Sequence, residues 1–164
     1  MSVRDLLRPG MRAYFVPLVG GLLLVVSAFL PWVVVEEVPL IGFPDTLALW
    51  IIGLGLLAAT FATLSLITRK NSRHPLFLVG LVALGILFLS WRIMPGSVER
   101  RVRSRIQAIA IVGQTEPLAP PNVMVGGGIY LGLVASVAIV AFGFTIVVKR
   151  AARPYTVPDP DDDV

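Results

Sequence analysis

Apolar residues fall in four long blocks along this chain, and the charged residues are confined to the short stretches between them. Residues 13–35 carry no charge, nor do residues 46–68. Each block exceeds the roughly 20 residues that a helix needs to cross the hydrocarbon core of a bilayer. Residues 75–91 form a shorter block, extended by Ile93 and Met94 beyond Arg92, whose long side chain can snorkel to water. A last uncharged stretch runs from Pro117 to Val148, and Pro117, Pro120, Pro121 and the Gly126–Gly128 cluster place the start of its helix near Gly128. Within each block apolarity is uniform rather than alternating, which excludes a membrane barrel.

The pattern predicts an all-α integral membrane protein, a bundle of four transmembrane helices at residues 13–35, 46–68, 75–94 and 128–148. A basic cytoplasmic N-terminus, 1–12, precedes the transmembrane domain, 13–148. An outer-side loop, 95–127, joins helices three and four, and a cytoplasmic acidic tail, 149–164, is expected to be disordered because "PYTVPDPDDDV" has nothing to bury. Arg4, Arg8 and Arg12 before an apolar run ending in "VSA" (26–28) also fit a signal peptide. The run continues through "FLPWVVV", however, so a retained helix is expected.

Composition supports this division. A soluble domain that is 56% hydrophobic and 15% charged, with a mean hydropathy of +0.85, would expose large apolar patches. Net charge is +4, but the basic residues flank apolar blocks, where anionic lipid is the natural counter-charge; no nucleic-acid partner is expected. With no cysteine, disulfides, thiolate metal sites and cysteine nucleophiles are excluded.

Four spans put both termini on one side. With that side cytoplasmic, it receives nine basic residues: Arg4, Arg8, Arg12, Arg69, Lys70, Arg73, Lys149, Arg150 and Arg153. Five lie outside: Arg92, Arg100, Arg101, Arg103 and Arg105. The first outer loop, "EEVPLIGFPD", has no basic residue, so both termini are expected in the cytoplasm of a bacterium, with the chain in its inner membrane. Trp32, Trp50, Trp91 and Tyr130, with Arg92, then form an anchoring belt at the outer interface.

The four arginines in six residues at 100–105 need their own explanation. At a helical repeat Val98, Val102, Ile106, Ile109 and Val112 share a face, Arg100 and Arg103 lie opposite, and Arg101 and Arg105 flank the stripe. That is a short basic amphipathic helix, 97–113, in the third loop. Such a helix lies among anionic headgroups or docks on an acidic partner; packing over its own bundle, or a short strand, stays open as well.

Helix association in lipid rests on close packing, so small residues four apart mark contact faces. Gly55, Ala59 and Thr63 form one such ridge and Gly128, Gly132 and Ser136 another, which suggests close approach of helices two and four, or of either to another chain. Homo-oligomers stay open.

No expected helix has an ionisable group at mid-membrane, and no catalytic set is visible, so the chain is not expected to be an enzyme and no cofactor or metal is expected. His74, the only histidine, can supply one axial ligand to a shared haem or chlorin, but an interfacial histidine among basic residues is the simpler expectation. The "GGG" at 126–128 lacks the Lys and Ser/Thr of a phosphate loop.

With "FLPW" closing helix one and "GGGIYLGL" opening helix four, the layout resembles small bacterial four-helix membrane proteins, a resemblance that implies a fold and no activity. Negative chemistry with contact-suited surfaces leads to the expected function: a non-catalytic membrane subunit or assembly factor of a larger bacterial complex, of electron-transfer or photosynthetic type. The alternatives are a small oligomeric transporter or channel and an envelope lipid- or stress-sensing protein. Membrane lipids and other membrane proteins are the expected partners.

Overall fold

The computed structural model describes residues 13–68, 73–113 and 122–151, with side chains for all but Arg73 and 146–151. The expected basic N-terminus, Arg69, Lys70, Arg153 and nearly all of the expected acidic tail lie outside the described residues. The elements run α1 (Phe15–Ala28), β1 (Pro31–Val35), β2 (Val38–Ile41), α2 (Thr46–Thr68), α3 (Arg73–Gly113), β3 (Val123–Val125) and α4 (Gly127–Ala151). By length and apolarity α2, α3 and α4 can each cross a membrane; α1, at 14 residues, is shorter.

The helix expected over 13–35 therefore ends at Ala28, and Pro31 opens the strand that follows. Proline cannot donate to the Ser27 carbonyl and disfavours helical backbone at Leu30. That carbonyl accepts instead from the Leu30 N–H at 3.3 Å and from Trp32 Nε1 at 2.9 Å, which closes the helix. Three consecutive valines, Val33 to Val35, then suit a strand. β1 pairs antiparallel with β2 on one edge and with β3 on the other. The two-residue turn between β1 and β2 is Glu36–Glu37, with φ of 47° and 72°. Both residues sit in the left-handed region of a type I′ hairpin turn, normally held by Asn-Gly.

A second correction concerns residues 95–113. The expected break after Met94 is absent, and the arginine segment is not a separate helix but the continuation of α3, 41 residues in one run with Pro95 inside it. Proline removes one hydrogen bond of the ladder, whereas the residues on both sides favour helix and one Glu99–Arg103 pair at 2.9 Å spans a turn beyond it. From Pro95 to Gly113 the helix adds about 28 Å at 1.5 Å per residue.

The helices pack antiparallel in the order α2, α1, α4, α3. Tyr14 at the start of α1 meets Phe142 near the end of α4, ring centroids 5.0 Å apart. Phe77 at the start of α3 lies against Gly143, and Leu87 against Gly132. Gly21 of α1 and Gly55 of α2 bring their backbones together, so that a Cβ on either would stand 2.6 Å from the other's carbonyl oxygen. The sheet and the starts of α2 and α4 share one end, here the sheet end. The pair α2 and α3 packs less extensively than its neighbours, which leaves a seam between them.

Candidate functional site

At the sheet end the chain is organised around Trp32. Trp32 stands at the irregularity between Pro31 and Val33 in the β1–β2 register, which turns its indole inward rather than along the strand. It is buried, and its walls are backbone: a Cβ on Gly42 would meet Trp32 Cε2 at 2.7 Å, and one on Gly128 would meet Trp32 Cδ1 at 2.8 Å. The expected interface anchor is thus a packed core residue whose N–H caps α1. Trp50 and Tyr130 are exposed, and Trp91 is half-buried, tilted at 47° against Phe88 and beneath the Arg92 guanidinium at 5.9 Å from the ring centroid.

Beyond this end projects the last third of α3. Arg100, Arg101, Arg103 and Arg105 are all exposed. Along the apolar stripe Val98, Val102 and Ile106 are half-buried, but Ile109 is 68% exposed, and the neighbouring Ile111 and Val112 are 79% and 86% exposed. The tip of the helix therefore presents aliphatic side chains that no other described element covers. Arg103 is engaged with Glu99, while Arg100, Arg101 and Arg105 line a shallow depression of about 450 Å³ with Ser97 and Ser104.

A second hollow, also about 450 Å³, occupies the seam between the start of α2 and α3. Asp45 and Leu47 form one wall; the other runs along α3 from Ile86 through Leu89, Ile93 and Met94 to Arg101. Ser97 and Arg101 belong to both hollows, so an apolar groove opens directly into an arginine-lined one. Asp45, the only acidic residue lining the groove among the described residues, accepts from the Leu47 N–H at 3.4 Å and so faces the first turn of α2.

The expected packing ridges contact α1 and α3 instead of each other. Gly55 and Ala59 lie against Gly21, and the Thr63 hydroxyl is exposed and donates to the Ala59 carbonyl at 2.8 Å. Gly128 approaches the Ser27 carbonyl of α1, and Gly132 fits between Leu87 of α3 and the Ser27 hydroxyl. Ser136 is buried and donates to Leu133 at 2.8 Å. The adjacent pair Gly20 and Gly21, at the centre of the packing, had no four-residue partner on its own helix to mark it. His74 is exposed at the opposite end from Glu36, Glu37, Asp45 and Glu99, and among the described residues no three His, Cys, Asp or Glu side chains gather as metal ligands would. No protein-family model, curated protein or solved structure matches this chain.

What the arrangement offers chemically is recognition: an arginine-rich helix with a bare aliphatic tip, and a groove that passes from apolar to cationic along its length.

Proposed function

We propose that the chain is a non-catalytic membrane subunit or assembly factor that engages a larger bacterial membrane complex through the projecting part of α3. The observation that supports this reading is the exposed tip, Ile109, Ile111 and Val112, carried beyond the sheet end on a helix with four arginines. Water-exposed aliphatic side chains in a row are costly unless a partner covers them. The arginines suit the acidic rim of such a partner and steer the encounter. In this reading α1 to α4 form a membrane bundle in the inner membrane. The sheet is on the outer face, where Trp50, Trp91 and Tyr130 meet the interface, and the paired Tyr14 and Phe142 mark the cytoplasmic side.

The test is gentle detergent extraction from native membrane, size separation and mass spectrometry of what travels with the chain. Co-migration with one defined complex, abolished by Ile109→Glu or Val112→Glu while the melting temperature stays unchanged, is the expected result. Migration alone, or co-migration indifferent to both substitutions, would refute docking through the tip.

A further inference from the structure

We propose that the seam between α2 and α3 is a binding site for one anionic phospholipid of the leaflet on the sheet side. One acyl chain lies along Leu47, Leu89 and Ile93, and the phosphodiester is held by Arg101 and Ser97. The inference rests on the membrane placement of the preceding reading; it shares Arg101 with the docking helix and uses none of the aliphatic tip.

Shape comes first. An ordinary lipid-facing helix surface is convex and has no preferred occupant. Here the two least tightly packed neighbours leave a concavity of about 450 Å³, within the range of sites that hold one small molecule. Leu89 and Ile93 are each more than half exposed into it. From Ile86 to Met94 the aliphatic wall extends over about 12 Å of helix, which suits the headgroup-proximal part of one acyl chain.

Polarity then selects the occupant. The groove is aliphatic from Ile86 to Met94 and polar from Ser97 to Arg101, and it merges there with the hollow lined by Arg100, Arg105 and Ser104. The two hollows together are lined by three arginines and, among the described residues, one carboxylate, Asp45, whose oxygen is turned to the first turn of α2. A transmembrane helix of a partner would fill the apolar part but leave the guanidinium groups without counter-charge. A soluble anion would satisfy the arginines but leave the aliphatic wall bare. An anionic phospholipid covers both, and arginine gives its phosphate charge-assisted, forked hydrogen bonds.

The experiment uses the full chain reconstituted in bilayer discs of mixed phosphatidylglycerol and phosphatidylcholine, followed by native mass spectrometry of retained lipid. One phosphatidylglycerol per chain is expected, preferred over phosphatidylcholine. Arg101→Gln should reduce its retention about tenfold, as loss of a charged hydrogen-bond partner does. Ile93→Trp, at an exposed position that fills the groove, should reduce it as well. Arg103→Gln, outside the groove and paired with Glu99, should leave it unchanged. Equal loss from Arg103→Gln and Arg101→Gln would show a diffuse field and overturn the site. So would retention indifferent to Ile93→Trp, lack of headgroup preference, or a second protein chain in place of lipid. Far-UV circular dichroism confirms that each variant is folded. Alkaline carbonate washing of native membranes tests the membrane placement separately: release of the chain defeats that reading, and retention without lipid selectivity defeats only the site.

Discussion

Replacing Gly21 by alanine probes one of the tightest helix contacts among the described residues. A Cβ there would stand 2.6 Å from the Gly55 carbonyl oxygen and 2.8 Å from the Ala59 nitrogen. Ordinary contact begins near 3.4 Å, so α1 and α2 must separate by about 0.8 Å, and the obstacles are backbone atoms that cannot rotate aside. Overpacking of this kind costs about 1–3 kcal/mol. Alanine also returns about 0.8–1.0 kcal/mol of helix propensity, so the net loss is between nothing and about 2 kcal/mol. Gly53 supplies the control, being on the same α2 with nothing within 4 Å of its added Cβ; Gly53→Ala should stabilise by up to about 1 kcal/mol. The two variants should therefore differ by about 1–3 kcal/mol, read from unfolding in mixed micelles of rising denaturing-detergent fraction, followed by circular dichroism. Gly21→Ala as stable as Gly53→Ala would refute the close approach of α1 and α2. The double variant Gly21→Ala/Gly55→Ala should cost less than the sum of its parts, because the first methyl has already parted the helices.

Other perturbations separate the remaining contributions. Trp32→Phe should destabilise by about 1–3 kcal/mol, through loss of the cap on the Ser27 carbonyl and of indole volume, seen as a lower thermal midpoint. Glu37→Gly should raise the midpoint, since φ of 72° costs a non-glycine residue roughly 1 kcal/mol; an unchanged midpoint would deny the left-handed turn. Glu99→Gln should change stability by no more than about 0.5 kcal/mol, because its pair with Arg103 is exposed and local; a larger loss in the same melt would give the pair an unexpected role.

Helix positions were legible in the sequence where a single signal sufficed. The uncharged stretch 46–68 is α2 residue for residue, since nothing in it breaks a helix. Where two signals competed, the weaker rule failed. At Pro31 the apolar run argued for continuing the helix, but the proline, the indole of the next residue that caps Ser27, and three valines together ended it. At Pro95 the reverse happened: a lone Pro-Gly pair was outweighed by helix formers on both sides. The apolar stripe and arginines of 97–113 were readable from spacing, but their continuity with the third span was not. The groove was invisible for a different reason, because it joins Asp45 and Leu47 to a helix about 50 residues later, and one helix's periodicity carries no record of its neighbour. Ridges of small residues were likewise visible without their partners: Gly55 announced a close approach, and only the packing assigned Gly21 to it.

The small sheet sets an order on the birth of this protein. β1 and β2 are a hairpin and can pair as soon as both have been synthesised, but Val33 meets Val125, 92 positions further along. At about 5–20 residues per second the ribosome needs roughly 5–18 s to supply that second partner. Throughout that interval β1 keeps one edge of unpaired amides, a template for any passing strand. β3 follows α3 and directly precedes α4, so the closing of the sheet and the docking of Gly128 against Trp32 belong to one step, after α3 has been made. A chain halted before residue 123 would retain its open edge, and that is the point at which a chaperone for this protein has something to hold.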